Sequence, residues 1–170
     1  MFPWPQWRTI ALAICIVTQV SPAVTMADEV PKTIVALGAS QTNGKGVARS
    51  EAYPAQLEML LRAAGYNVHV VNEGISGETT CSMLGRLGSA VPDGTRAVIL
   101  QPGGNDKRTA SGDCSGEIES RLKGRGIAVI MLPNSYFQGM PRSDGQHLTP
   151  EGYHAMAVRL LPEVEAAIGR

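Results

Sequence analysis

The chain has 170 residues, with 15 Lys and Arg set against 15 Asp and Glu, for a formal net charge of zero. With no basic stripe and only 5% aromatic residues, nucleic acid is a poor partner for it. There is no repeat, no low-complexity tract, no Cys-x-x-Cys or His-x-x-x-His pair and no carboxylate cluster, so a repeat array and a metal site are both disfavoured.

Residues 1–27 read as a leader. Arg8 supplies a positive start, an apolar stretch runs from Ile10 to Val20, and Thr25-Met26-Ala27 offers small residues where a signal peptidase cuts. The alternative is an N-terminal membrane anchor, against which Thr18, Gln19 and Pro22 interrupt the apolar run. Lipidation at Cys15 is disfavoured by the large Ile14 before it. Cleavage after Ala27 would leave residues 28–170 as one exported domain, periplasmic or secreted, burying roughly two-thirds of its unfolded surface.

Residues 33–37 (Thr-Ile-Val-Ala-Leu) form an apolar run bounded by Gly38, the pattern of a strand buried on both faces. A loop over 41–47 follows. Ser50 is then placed to cap a helix presenting Leu57, Leu60, Leu61 and Ala64, and Gly65 ends it. The second strand is expected at 67–72, with a loop over 73–78 and a short helix near 80–87. A third strand is expected at 96–101, a helix over 114–123 facing Ile118 and Leu122 inward, and a fourth strand at 127–132. The last helix starts from Thr149 as N-cap with Pro150 in its first turn, and Pro162 is expected to kink it. Alternating strands and helices imply an α/β fold: a parallel sheet with helices on both faces. Ligands of such sheets bind beyond the carboxyl ends of the strands, and Ser40, the 74–78 loop and Asn105 all fall there.

Several residue types at these positions carry chemistry. Ser40 follows a strand that turns through Gly38, and a serine hydroxyl needs an adjacent base to become a nucleophile. A phosphate-binding loop fails on spacing, with one residue too many between Gly38 and Gly44 and Gly46 in place of the Ser or Thr that would hold magnesium. His147 is the candidate base, and Asp144 can fold back to fix its tautomer. His69, mid-strand, and His154, on the outer side of the last helix, are weaker candidates. Backbone N–H groups at Ser40 and Gly77 and the side-chain amide of Asn105 could receive an oxyanion. Cys81 and Cys114 both lie shortly after strand ends, where they could pair as a disulfide; the alternative is two separate thiols.

Four blocks in order resemble the SGNH hydrolase family of GDSL-type esterases and lipases. They are Gly38-Ala39-Ser40, Gly74-Ile75-Ser76-Gly77-Glu78-Thr79, Gly103-Gly104-Asn105-Asp106 and Asp144-Gly145-Gln146-His147. The resemblance implies a catalytic triad with Ser40 as nucleophile, His147 as base and Asp144 as its partner. It also implies an oxyanion hole of Ser40, Gly77 and Asn105 and no cofactor. It implies a three-layer α/β/α, flavodoxin-like sandwich.

Two departures stand out. Ala39 replaces the family's usual Asp, and a looser site is expected. Only residues 106–143 separate Asn105 from Asp144, one strand–helix unit short, so a four-stranded sheet and a more open pocket are expected. Tyr136, Phe137 and Met140 would then line the acyl or alcohol side, or pack as ordinary loop residues. The implied activity is serine carboxylesterase chemistry on small acyl esters, with thioesters and lysophospholipids within the family's range. The rivals are a carbohydrate O-deacetylase and a non-catalytic binding protein on the same scaffold. No stable membrane insertion is expected after leader removal.

Overall fold

The computed structural model describes Met1 and residues 30–169, so the expected leader lies, but for Met1, outside the described residues. β1 (Lys32–Gly38) carries the apolar run and is buried from Ile34 onward. It pairs with β2 (Val68–Gly74) on one side and β3 (Thr95–Leu100) on the other, and β3 pairs with β4 (Ala128–Met131). All three pairings are parallel, in the order β2-β1-β3-β4. The expected four-stranded sheet is thus the one observed.

Side chains alternate across a strand, and the alternation sorts the core into two layers. Ile34 and Ala36 join a cluster with Leu57 and Leu61 of α2 (Tyr53–Ala63) and Tyr153, Met156, Leu160 and Val164 of α7 (Pro150–Ile168). Val35 and Leu37 face the other way. They meet Met83 of α3 (Thr80–Gly85), Leu87 of α4 (Leu87–Ala90), and Ile118 and Leu122 of α6 (Ser115–Gly124). Helices on both faces explain why β1 reads as a continuous apolar run rather than an alternating one.

Local chemistry moves some boundaries from their expected places. The segment after β1 is helical from its start, as α1 (Ser40–Asn43), rather than an open loop. Ser50 does not cap α2; Ala52 holds that position, and Pro54, whose fixed φ suits a first helical turn, sets the start. The helix expected over 80–87 divides at Arg86 into α3 and α4. A further short helix, α5 (Gly104–Thr109), lies between the third strand and the helix expected over 114–123, where no element was expected. Thr149 caps α7, its hydroxyl accepting from Gly152 N at 3.2 Å. α7 runs through Pro162 without ending. The carbonyl that the missing N–H leaves free belongs to Val158, on the exposed side of the helix where water can satisfy it.

The register aligns the carboxyl ends of the central strands, with Gly38 opposite Gly74 and Leu37 opposite Leu100. The chain leaves β1 toward the α2 face and leaves β3 toward the α6 face. The crevice between those two strand ends is therefore the switch point where a doubly wound sheet opens.

Candidate active site

Ser40 is the first residue of α1, immediately beyond β1. Its turn is tight enough that two glycines are obligatory. A Cβ on Gly38 would stand 2.2 Å from Thr42 Oγ1, and one on Gly74 would stand 2.1 Å from Asn43 N. The turn is held by Gln101, the residue after β3. Its side-chain oxygen accepts from Ala39 N and Thr42 N, both at 3.2 Å, and from Thr42 Oγ1 at 2.8 Å. Ala39 is buried and its backbone is anchored from the neighbouring strand, so the turn is braced without an acid at that position.

The segment 142–148 brings the other two members of the expected triad across the crevice. Ser40 Oγ lies 3.2 Å from His147 Nε2, and His147 Nδ1 lies 2.7 Å from Asp144 Oδ2. Asp144 Oδ1 also accepts from the backbone N–H of His147 at 2.6 Å and of Gln146 at 2.9 Å. The carboxyl is therefore held well below the usual range, first by the imidazole and then by these two amides. An ionised Asp144 favours the tautomer with hydrogen on Nδ1, which leaves Nε2 as the acceptor facing the serine hydroxyl. His147 is buried, whereas the Asp144 side chain is 54% exposed.

A second set of bonds fixes the His147 segment to α1. Gln41 Nε2 donates to Gln146 O at 2.7 Å, while Gln41 Oε1 accepts from Tyr153 OH at 3.1 Å. Burial, and to a lesser degree the Asp144 charge, push the Tyr153 hydroxyl up to about 12, so it remains a donor. Arg142 donates to the carbonyls of Gln146 and Phe137 and closes the segment from the other side.

The 74–78 loop and α5 complete the crevice. Asn105 is buried, and its side-chain amide donates to Glu78 O at 2.6 Å, which ties it to the residue after Gly77. Arg86 grips the same loop. It donates twice to the Glu78 carboxylate at 2.6 Å, and to Glu73 Oε2 and Glu73 O at 2.8 Å. These acidic partners, Glu78 foremost, push the guanidinium pKa further up. Asp106 accepts from Thr80 N and Thr80 Oγ1, each at 2.8 Å, linking α5 to α3. Nearby, Cys81 and Cys114 are joined in a disulfide with 4.9 Å between their Cα atoms, clamping α3 to the start of α6.

A cleft of about 210 Å³ opens over Ser40, walled by Gln41, Asn105, Arg108, Phe137 and Arg142. Of the three residues read as pocket lining, Phe137 borders it. Met140 is buried in the α2/α7 core, and Tyr136 packs against that core with its hydroxyl donating to Glu163. His69 and His154 stand elsewhere, bonded to Glu58 and Gln56. Among the described residues no group of three or more His, Cys, Asp or Glu is placed to hold a metal ion, and no helix is long and apolar enough to cross a membrane.

Sequence reasoning overlooked Gln41, Thr42, Gln101, Tyr153 and the Arg86 cluster. Gln101 left one signal, a polar residue directly closing the apolar Val98-Ile99-Leu100 run; the others left none.

Comparison with known proteins bears on this geometry. Residues 36–130 match the model of the GDSL-like lipase/acylhydrolase family. Over 96 residues, 56% of the chain, the sequence is 32% identical to Esterase TesA of Pseudomonas aeruginosa, and the match spans only 44% of that protein's length. A crystal structure of TesA has a similar fold, with a TM-score of 0.65 at 21% identity, covering 80% of this chain and 99% of that one. AlinE4, a SGNH-hydrolase family esterase, superposes with a TM-score of 0.52 at 27% identity, covering 80% and 73% of the two chains.

Proposed function

The chain belongs to the GDSL-like lipase/acylhydrolase family, and from that premise we propose that it is an exported, single-domain serine esterase acting on small acyl esters. The observation that carries the reading is the Ser40–His147–Asp144 line, with contacts of 3.2 and 2.7 Å. In this reading His147 Nε2 takes the Ser40 proton as Oγ bonds to the ester carbonyl carbon. The carbonyl oxygen becomes an oxyanion, received by the N–H of Ser40, the N–H of Gly77 and the amide of Asn105. Ser40 opens a helix, where first-turn N–H groups have no partner within the helix. Each such donor lowers the barrier by roughly 3–4 kcal/mol.

Collapse of the tetrahedral species breaks the carbon–oxygen bond to the alcohol, which leaves with the proton held on His147. Water then attacks the acyl-enzyme, giving its proton to His147, and Ser40 regains a proton as the acid is released. In each half-reaction His147 takes up one proton and gives it back, so the cycle closes without a cofactor. The 210 Å³ cleft favours short acyl chains over long ones. Thioesters and lysophospholipids are further members of the same electrophile class.

The test is hydrolysis of 4-nitrophenyl esters from acetyl to palmitoyl by the chain and by Ser40→Ala. Turnover by the chain, greatest at short acyl lengths and lost in the variant, is the expected result. Failure of folded protein to turn over any of them, together with no labelling of Ser40 by a phosphonate probe, overturns it in favour of a binding module.

A further inference from the structure

The walls of the cleft over Ser40 include two guanidinium groups, Arg108 and Arg142, and no carboxylate. That imbalance is unusual in a chain whose formal charge is zero. Arg142 spends its hydrogen bonds on the backbone carbonyls of Gln146 and Phe137, which satisfy its N–H groups without cancelling its charge. Arg108 stands one helical turn after Asn105, is exposed, and makes no hydrogen bond or ion pair among the described residues.

The nearby acids keep their charges but lie outside the walls of this cleft and bond to residues other than Arg108. Asp144 is paired with His147, and both oxygens of Asp106 are taken by Thr80. Asp113 accepts from Ser115 N at 2.9 Å. A second, more open cavity of about 500 Å³ adjoins the first through Asn134 and the Gly103–Gly104 turn; it is lined by Lys107 and by Asp106 and Asp113, so the surplus of positive charge is confined to the cleft over Ser40. Of the other described arginines, Arg62, Arg86, Arg121 and Arg125 pair with acids and Arg49, Arg96 and Arg159 donate to backbone carbonyls, so among the described residues Arg108 is the one arginine left without a partner.

We infer that the cleft selects esters carrying an anionic group close to the scissile bond, with Arg108 as the specificity-determining residue. The inference rests on the esterase reading and deepens it. A guanidinium presents a planar fork of donors that matches an anion's oxygens, and a free one at the rim needs no partner displaced before it binds. With two guanidiniums and no carboxylate in the wall, the cleft also raises the local concentration of anionic substrate. A neutral ester gains from neither effect.

Two matched pairs of probes test this on the full chain. One pair places the charge on the acyl side: mono-4-nitrophenyl adipate against 4-nitrophenyl hexanoate, both six-carbon acyl groups. The other places it on the alcohol side: 4-carboxyphenyl acetate against 4-carbamoylphenyl acetate. The expected result is that at least one anionic probe exceeds its neutral match in kcat/KM by about three- to fivefold, mainly through KM, the scale of one exposed charge pair. That ratio should shrink in 0.5 M NaCl, collapse toward unity in Arg108→Gln, and be partly kept in Arg108→Lys.

Hydrolysis of the neutral probes with no anionic preference on either side overturns the inference alone. A preference that survives intact in Arg108→Gln also overturns it. Absence of hydrolysis of all four probes overturns the esterase reading, and this inference with it.

Discussion

Gln101 and Thr42 are joined twice through one atom: the Gln101 side-chain oxygen accepts from Thr42 N at 3.2 Å and from Thr42 Oγ1 at 2.8 Å. The same oxygen accepts from Ala39 N, so three donors of the Ser40 turn converge on the residue that follows the neighbouring strand β3. This bond set occupies the end of the crevice where the sheet switches direction, and it ties the turn after β1 to the carboxyl end of β3.

Gln101→Leu keeps the volume of the side chain and removes the acceptor. Two backbone N–H groups are then left buried without a partner, each costing roughly 1–3 kcal/mol, and the Thr42 hydroxyl keeps only Tyr53 OH at 3.4 Å. We expect a loss of about 2–4 kcal/mol in chemical denaturation and a fall in kcat of about a hundredfold with a smaller change in KM. Unchanged stability would show that the turn holds its own shape.

Asp144 governs a pH prediction. Its carboxyl is depressed by His147 and two amides, so it remains ionised above the ordinary carboxylate value of about 3.9. The sign follows: its contribution is fully present above that value and is lost only as pH falls through its lower folded-state value. Loss of kcat/KM on acidification should therefore follow a single protonation, a limiting slope of one down to about pH 4, and a slope of two would contradict this. Asp144→Asn should lower kcat by about 10²–10³-fold. That is less than the ~10⁴ typical of a buried triad acid, because this one is half exposed.

The sequence made some of this legible and not the rest, for physical reasons. Strands buried on both faces announce themselves as apolar runs, as 33–37 does, and Thr149-Pro150 marks a helix start by local hydrogen bonding and fixed φ. Ser40, Asp144 and His147 could be picked out because short blocks around them have a fixed chemistry. The bracing residues could not. Gln101, Gln41, Tyr153 and Arg86 act on partners 62, 105, 112 and 13 positions away, and nothing in their own neighbourhoods encodes those partners. The unequal fates of Phe137 and Tyr136 have the same origin: both lie on one turn of 3₁₀ helix packed on the α2/α7 core, where Phe137 is buried at the edge of the cleft and Tyr136 reaches Glu163 of α7.

Arg86 makes a third prediction. Its guanidinium is the counter-charge for a Glu78 side chain that is only 7% exposed. Arg86→Leu leaves that carboxylate buried and unpaired, a change worth about 3–5 kcal/mol. It also frees the loop that carries Gly77 and the carbonyl that orients Asn105. We expect lowered thermal stability and a fall in kcat of about ten- to a hundredfold. Arg86→Lys should restore part of each, because an ammonium keeps the charge but loses the two-pronged grip. Equal kcat in all three proteins would remove the loop from the catalytic argument.

The Cys81–Cys114 bond closes a loop with a sequence separation of 33. On chain-entropy grounds that constraint on the unfolded state stabilises the fold by roughly 3–4 kcal/mol. The bond also joins α3 to the start of α6, and Cys114 N donates to Thr80 Oγ1, which in turn donates to Asp106 beside Asn105. Reduction, or the Cys81→Ser/Cys114→Ser double variant, should therefore lower Tm by about 10–15 °C and speed proteolysis around residues 109–114. The Ser40–His147 contact depends on elements across the crevice, Gln101 and the 142–148 segment, so kcat at low temperature should fall less than threefold. A large loss of kcat from protein that is still folded would mean that α5, and with it the Asn105 amide, is positioned by the disulfide rather than by the Asp106–Thr80 bonds.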